Sequence, residues 1–276
     1  MKLHFLCTSW GNELPVEAFV QKVRAAGYDG VEMSLPNNDD ALKKRILDAV
    51  SNAGLLFVGH HSDTVTVDFE KHKSEFIDRL HNLNNGNTLL INSQTGKDFF
   101  SFAQNMELVD LASQFTTDTG IRVVHETHRG KFTFAAHITV PFLLANPDLR
   151  IGADFSHWCN VAETMLYDQE DALGLAISRA DHIHARVGFA EGPQVPDPRA
   201  PEWADVLNRH ISWWDRIVDR SRAEDQEFLC ITPEFGPYPY MTLLPGSRLP
   251  IANQWDINVF MMTLLRARYA PKTGVV

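Results

Sequence analysis

The sequence predicts one domain of the α/β class, a (β/α)8 TIM barrel. Short apolar runs alternate strictly along the chain with longer amphipathic segments. The runs are almost continuous in Val, Ile, Leu and Phe, which is typical of strands buried on both faces of a parallel sheet. Strict alternation implies right-handed crossovers, and eight strand–helix units fit the roughly 250 residues of a TIM barrel. The chain of 276 residues accommodates one such domain.

The individual elements follow from apolar spacing and from their stop signals. Three predicted helices end at a glycine that precedes a strand, Gly27, Gly54 and Gly120, which is typical of a helix C-terminus. The strands are predicted at residues 2–8, 30–33, 55–61, 88–92, 121–126, 149–155, 181–186 and 228–233. The helices are predicted at residues 15–26, 40–53, 69–83, 106–119, 135–145, 168–180, 202–222 and 253–269.

A doubly wound open sheet is the competing architecture. It would carry a glycine-rich phosphate turn after an early strand, and neither TSWGNE nor EMSLPNN has the GxGxxG pattern. No linker divides the chain, so residues 1–270 are predicted to form the barrel and residues 271–276 a C-terminal tail. The insert at about 187–201 is rich in proline and long for a compact domain. We expect it to act as a lid, because such loops are usually functional.

Composition excludes several classes of partner. Lys and Arg number 25 and Asp and Glu 35, a net charge of −10 that argues against binding nucleic acid. No stretch approaches 18 apolar residues, so no membrane association is expected. Three cysteines, with no CxxC pair, favour a reduced and therefore cytoplasmic location. A homo-oligomer is left open.

The ends of the predicted strands concentrate residues that can bind a metal. In a TIM barrel, functional groups project from the C-terminal ends of the strands. Seven of the twelve histidines fall there: His60, His61, His125, His128, His157, His182 and His184.

Four consecutive strand ends stand out among these positions. They carry Glu126, Asp154, His184 and Glu234, at spacings of 28, 30 and 50 residues. Three carboxylates and one imidazole favour one divalent ion, Mn²⁺, Mg²⁺, Co²⁺ or Zn²⁺. Each of the four has an alternative interpretation as an ion-pair partner, and Asp154 as a helix N-cap.

The segments HETHRG, ADFSH, HIHAR and TPEFG, in this order, resemble the xylose isomerase-like TIM-barrel superfamily and its sugar phosphate isomerase/epimerase family. The resemblance covers nearly the whole chain. It implies that the four residues above bind the metal, that Glu126 and Glu234 also transfer protons, and that His157 contacts the substrate. An arginine that follows the ligand histidine by six positions in some members is Ala190 here, which leaves Arg186 as a candidate substitute.

The expected reaction is a metal-dependent isomerisation or epimerisation of a keto-sugar or related polyol through an enediolate. A lyase or dehydratase acting on a keto-sugar or 3-keto-glycoside is the first alternative, and a catalytically silent sugar-binding barrel is the second. A DNA-repair endonuclease of the same superfamily is disfavoured, because the fourth strand ends in Asn92-Ser93-Gln94 without a histidine.

The residues expected to contact the sugar come from several strand ends. Trp10 is a candidate for stacking on a sugar face, with packing at the barrel rim as the alternative. His60 and His61 are candidates for binding hydroxyl groups, and His182 for a role in the substrate site or behind the metal. Arg186 is a candidate for binding a carboxylate or a phosphate. No basic cluster follows strand eight, which favours an unphosphorylated or carboxylated sugar.

Overall fold

A computed structural model describes residues 1–271 and confirms the predicted barrel. Eight parallel strands close on themselves in sequence order, and β8 pairs with β1. The predicted tail lies, apart from residue 271, outside the described residues. The strands are β1 Lys2–Thr8, β2 Gly30–Met33, β3 Leu56–His61, β4 Thr88–Ser93, β5 Val123–Glu126, β6 Ile151–Ala153, β7 Ala180–His184 and β8 Phe228–Thr232.

Nine helices surround the barrel within residues 1–271, one more than predicted. Several begin at a residue whose side chain accepts a hydrogen bond from the first turn, as Asp39, Asp68 and Ser101 do. The helices are α1 Val16–Ala25, α2 Asp40–Asn52, α3 Phe69–Leu83, α4 Phe102–Thr119, α5 Ala136–Ala145, α6 Phe155–Ala162, α7 Glu170–Ile177, α8 Ala204–Ala223 and α9 Gln254–Tyr269.

The sequence prediction was wrong around β6. Residues 149–155 were expected to form one strand, but β6 has only three residues and α6 begins at Phe155. The cause is local: Asp154 accepts a hydrogen bond from the backbone N–H of Ser156 and so starts a helix directly after the strand. Five consecutive residues of α6, beginning at Phe155, are buried, and its 8 residues are too few for helical spacing to stand out in a sequence.

The interior of the barrel changes character along its axis. Side chains from five strands form an apolar layer inside it: Leu6, Val58, Leu90, Val124 and Cys230. Because alternate residues of a strand share a face, the residues two positions further along β4, β5 and β8 also point inward. They are Asn92, Glu126 and Thr232, all buried. A polar layer therefore lies on the apolar one, towards the C-terminal ends of the strands.

Of the insert 187–201 and the loop between β8 and α9, only the second borders the cavity at the mouth of the barrel. The insert 187–201 packs partly against the barrel, with Val187 and Val195 buried, and its residues do not border the cavity at the mouth. The loop between β8 and α9 does reach that cavity through Tyr240. A lid formed by the insert therefore stays a prediction. None of the helices described is long and apolar enough to cross a bilayer.

Candidate metal centre and active site

The four predicted ligands meet at the C-terminal end of the barrel. Glu126 ends β5, His184 ends β7, and Asp154 and Glu234 follow β6 and β8. One side-chain oxygen or nitrogen of each lies within 4.8 Å of those of the others, and all four residues are buried. The βαβ repeat places successive strand ends next to each other, which is why residues 28 to 50 positions apart converge.

The imidazole of His184 is oriented as a metal ligand would be. Its Nε2 donates a hydrogen bond to Oε1 of Glu32 at 2.8 Å. Its Nδ1 lies 2.9 Å from Oε2 of Glu234 and 3.8 Å from Oε2 of Glu126. This buried Nδ1 has no hydrogen-bond partner among the described residues. Burial lowers the pKa of His184, but the charges of Glu234, Glu32 and Glu126 outweigh burial and raise it, so the ring is protonated without a metal. A divalent ion would replace the proton between Nδ1 and the carboxylates, so the residues present suit such an ion.

Asp154 has three roles in the structure. Its Oδ1 accepts a hydrogen bond from the backbone N–H of Ser156, which makes it the N-cap of α6. Its Oδ2 accepts a hydrogen bond from Nη2 of Arg186. The third role is to complete the four-residue group. Burial raises the pKa of Asp154 to about 6 and the charges of Glu234 and Glu126 add to the rise, although Arg186 and His184 oppose it.

Glu126 is held by amide and imidazole groups. Asn92 donates to its Oε2 at 3.0 Å and Gln94 to its Oε1 at 3.2 Å. Nε2 of His60 lies 3.5 Å from Oε2. Burial favours the neutral acid, but the charge of His184 and the contact with His60 outweigh burial and lower the pKa of Glu126. Glu126 is therefore ionised at neutral pH, as a metal ligand must be.

Glu32 is the residue of the site that the sequence analysis missed. Its buried carboxylate accepts four hydrogen bonds inside the barrel. Oε1 accepts hydrogen bonds from Nδ2 of Asn92 and Nε2 of His184. Oε2 accepts them from Nε2 of His182 and Oγ1 of Thr232. The only signal in the sequence is an acidic residue within the apolar strand GVEM, two positions before the strand-end serine.

Two further groups of residues have the spacing of a metal site. Glu32, His182 and His184 form one, and Glu126, His128 and His157 form the other. The lone pairs of Glu32 are already engaged by the four donors. Nε2 of His157 accepts a hydrogen bond from Nη2 of Arg186 at 2.7 Å. We therefore favour the group of Glu126, Asp154, His184 and Glu234 as the metal centre, because it offers four ligands where the others offer three.

A cavity of about 310 Å³ opens beside this group. It is bordered by hydroxyl groups, imidazoles and two aromatic rings, a lining that suits a polyhydroxylated molecule. The residues that border it are Thr8, Ser9, Trp10, Ser34, His60, Ser62, Gln94, His128, Arg186, Glu234 and Tyr240.

The predicted substrate residues divide into two sets. Trp10, His60 and Arg186 border the cavity. The other three are buried and lie outside its lining. His61 is hydrogen-bonded to Ser93 and Thr64, His182 to Glu32, and His157 to Arg186.

Trp10 also packs at the rim. Its ring meets Tyr240 edge-on, with centroids 4.9 Å apart. It also lies so close to Gly236 that a Cβ there would be 2.2 Å from the indole. Rim packing and a role at the cavity are therefore compatible for this residue.

Comparison with known proteins places the fold. No family model and no curated protein matches the chain. Among solved structures, the probable 3-DHS dehydratase AsbF from Bacillus anthracis is 20% identical with a TM-score of 0.60, over 96% of this chain and 98% of that one. The D-allulose 3-epimerase from Methylomonas sp. in complex with D-allulose is 15% identical with a TM-score of 0.62, over 97% and 98%. Endonuclease IV from Thermus thermophilus is 14% identical with a TM-score of 0.57, over 96% and 97%.

These comparisons confirm the predicted resemblance at the level of the fold. The structural neighbours are xylose isomerase-like TIM barrels and include a sugar phosphate isomerase/epimerase and a xylose isomerase domain protein. The neighbours that share this barrel are named as an epimerase, a dehydratase and an endonuclease, so the fold does not determine the reaction. The choice depends on the side chains at the mouth of the barrel.

Proposed function

We propose that the protein is a divalent-metal-dependent isomerase or epimerase of a keto-sugar or related polyol. One observation carries the proposal: the buried Nδ1 of His184 faces the carboxylates of Glu126 and Glu234 beside a polar cavity of sugar size. The barrel shared with a D-allulose 3-epimerase is consistent with it. A small-molecule sugar is therefore the proposed partner, and nucleic acid is not.

The ligands of the proposed ion are Glu126, Asp154, His184 and Glu234. Their oxygen-rich set suits Mn²⁺, Mg²⁺, Co²⁺ or Zn²⁺. When bound, the ion supplies Lewis-acid stabilisation of the negative charge that develops on adjacent substrate oxygens.

The protein side chains transfer the proton. Glu234 borders the cavity, so we assign it the removal or return of a proton next to the substrate carbonyl. Glu126 does not border the cavity, but the ring of His60 does, and its Nε2 lies 3.5 Å from Oε2 of Glu126. His60 is thus in position to pass a proton between Glu126 and the substrate.

The remaining predicted residues orient the substrate or the groups that touch it. The ring of Trp10 and the hydroxyl groups around it suit one face of a sugar. His157 lies behind Arg186, and His61 and His182 lie behind the cavity wall. For these three histidines we propose a supporting role in the binding of substrate, through the residues they contact.

A lyase or dehydratase on a keto-sugar or 3-keto-glycoside is the second candidate, and His60 favours it. Burial lowers the pKa of His60, but the hydrogen bond and the charge of Glu126 outweigh burial and raise it. A protonated imidazole at the cavity can protonate a leaving hydroxyl group. The two candidates share proton removal next to the carbonyl and differ in whether a group then leaves.

Solvent-deuterium exchange tests the assignment. The Mn²⁺-loaded protein is incubated in D2O with a panel of ketoses and keto-acids, and label in the recovered sugar and release of a leaving group are both measured. Exchange without elimination supports the isomerase, and elimination supports the lyase. Bound metal with neither outcome contradicts both and favours a silent binding barrel.

Matched variants identify the acid and base. Glu126→Gln and Glu234→Gln should each slow exchange by about 10²-fold or more while metal remains bound. Glu191→Gln, on the exposed insert, is the control and should leave the rate unchanged. Near-normal exchange by both cavity variants, with metal content verified, overturns the roles given to Glu126 and Glu234.

A further inference from the structure

The wall of the cavity contains a buried guanidinium group. Arg186, two residues beyond the end of β7, is 1% exposed and borders the cavity. Two aromatic rings lie beside the guanidinium. Its carbon is 4.8 Å from the ring centroid of Tyr240 and 5.8 Å from that of Trp10. Among the residues that border the cavity, Arg186 is the only permanent cation.

Only part of this guanidinium is engaged by the protein. Nε donates to Oγ of Ser156 at 3.1 Å, and Nη2 donates to Oδ2 of Asp154 and to Nε2 of His157. Nη1 makes no hydrogen bond to any described residue, and its nearest acid is Oε2 of Glu234 at 3.8 Å. The Nη1 group is therefore an available donor next to the acidic group of the site.

The charge of the site is consistent with an anionic ligand. Three carboxylates, Glu126, Asp154 and Glu234, alone would repel one. A divalent ion and Arg186 together balance these three charges. An anion that reaches Nη1 therefore meets a fixed positive group, and the charges of these three carboxylates are already offset.

The number of free donors favours a carboxylate over a phosphate. Nη1 supplies one charged –NH2 group, which suits a single carboxylate oxygen, whereas a phosphate usually meets several cationic or backbone donors. No lysine and no second arginine borders the cavity as described.

We propose that Nη1 of Arg186 binds a carboxylate of the substrate, so that the substrate is a polyhydroxylated keto-acid rather than a neutral ketose. This inference rests on the proposed function, because it assumes that the cavity beside Glu234 binds the reacting molecule. Because Nη1 lies 3.8 Å from Oε2 of Glu234, a substrate carboxylate bound to Nη1 lies close to the residue assigned to proton transfer.

Binding to the Mn²⁺-loaded wild-type protein tests the inference directly. Dissociation constants are measured calorimetrically for D-fructuronate, its methyl ester, D-fructose and D-fructose 6-phosphate. These ligands share the ketone and differ at the far carbon. The acid should bind about ten- to hundredfold more tightly than the ester and than D-fructose, which is the range expected of one charge-assisted hydrogen bond. Equal binding of acid and ester, or tighter binding of the phosphate, overturns the inference.

A variant locates the effect at Arg186. Arg186→Gln should lose the preference for the acid over its methyl ester. Arg199→Gln is the matched control, because Arg199 is paired with Asp197 on the insert and does not border the cavity. A preference that survives in Arg186→Gln contradicts the proposal. The wild-type comparison of acid with ester remains decisive where that variant fails to fold.

Deuterium exchange separates this inference from the proposed function. Tighter binding of the acid, with no deuterium exchange into any ligand, supports the carboxylate site and refutes the proposed isomerase and lyase activities. Exchange into D-fructose as fast as into D-fructuronate, without a binding preference, supports the proposed function and refutes the carboxylate site.

Discussion

Nε2 of His184 lies 2.8 Å from Oε1 of Glu32, across the interior of the barrel from β7 to β2. Because Nε2 donates its proton to this carboxylate, the other ring nitrogen, Nδ1, is the one that faces Glu126 and Glu234 and can bind a metal there. A carboxylate behind a ligating histidine fixes the tautomer and the ring orientation, and makes the nitrogen a better ligand. We therefore propose Glu32 as a positioning residue for the proposed metal centre.

Replacing this carboxylate should weaken metal binding. Glu32→Gln removes the charge and presents an amide group that competes for the orientation of the imidazole. We expect a loss of about 10- to 100-fold in Mn²⁺ affinity, measured by isothermal titration. Glu13→Gln, on the exposed loop before α1, is the control and should bind Mn²⁺ as the wild type does. Unchanged affinity in Glu32→Gln would refute the positioning role.

Metal binding should stabilise the fold, since a ligand that binds only the folded state adds its binding free energy to the free energy of unfolding. At 100 times the dissociation constant the gain is about 2.7 kcal/mol. For a domain of this size we expect a rise in Tm on the order of 5–10 °C, measured by calorimetry with Mn²⁺ and with EDTA. Asp154→Asn should abolish most of the rise, and the surface change Asp197→Asn should preserve it. Identical Tm values for the wild type with and without Mn²⁺ would contradict the assigned site.

Gly236 is expected to tolerate no side chain. A Cβ there would lie 2.2 Å from the indole of Trp10. The backbone cannot easily yield, because its N–H donates to Gln194 at 2.7 Å. Gly236→Ala should therefore displace Trp10 and weaken sugar binding about tenfold or more, measured as a dissociation constant.

A helical glycine provides the comparison for this variant. Gly174 lies within α7, and a Cβ there would meet only Nη2 of Arg216, at 3.4 Å. Gly174→Ala should leave sugar binding intact and raise the free energy of unfolding by about 0.5–1 kcal/mol. Equal sugar binding by both alanine variants would show that the position of Trp10 is immaterial.

Acid should destabilise the protein partly through His210, a buried residue of α8. Burial lowers the pKa of His210 to about 3, whereas an unfolded histidine has a pKa of about 6.5. Between these two pKa values the unfolded state binds a proton at this histidine and the folded state does not, so the free energy of unfolding falls as the pH falls. The share of His210 is about 2 kcal/mol between pH 7 and pH 5.

Urea unfolding at the two pH values measures this loss. His210→Gln removes the titrating group and can still hydrogen-bond to the backbone of Gly188, which His210 contacts at 3.0 Å. The difference between the two pH values should therefore shrink by about 2 kcal/mol in the variant. The same difference in variant and wild type would show that His210 is protonated in the folded state.

Most of the fold was predictable because its elements are short and well delimited. β1, β2 and α3 have the predicted bounds, and α3 is delimited by Asp68 and Asn84. α6 was missed because it follows β6 without a loop and has only 8 residues. Its N-cap is Asp154, so the alternative considered for this residue is correct, and being a cap does not prevent it from lying in the metal group.

The site was predictable only where it follows the order of the strands. Glu126, Asp154, His184 and Glu234 were found because the βαβ repeat places strand ends side by side. Glu32 was not, because it contacts His184 across the barrel, 152 residues away along the chain, and nothing local marks such a pair. The sequence also could not predict that only part of the Arg186 guanidinium is hydrogen-bonded by the protein. This depends on how close Asp154 and His157 lie to it in space, which no pattern of residue types specifies.

The central claim is that one divalent ion binds between Glu126, Asp154, His184 and Glu234. Anomalous diffraction from crystals grown with Mn²⁺, recorded on both sides of the manganese absorption edge, tests it most directly. We expect a single strong anomalous peak per chain, bonded to Nδ1 of His184 and to oxygens of the three carboxylates. A peak between Glu32, His182 and His184, or no peak at the mouth of a barrel with His184 still paired to Glu32, would contradict it.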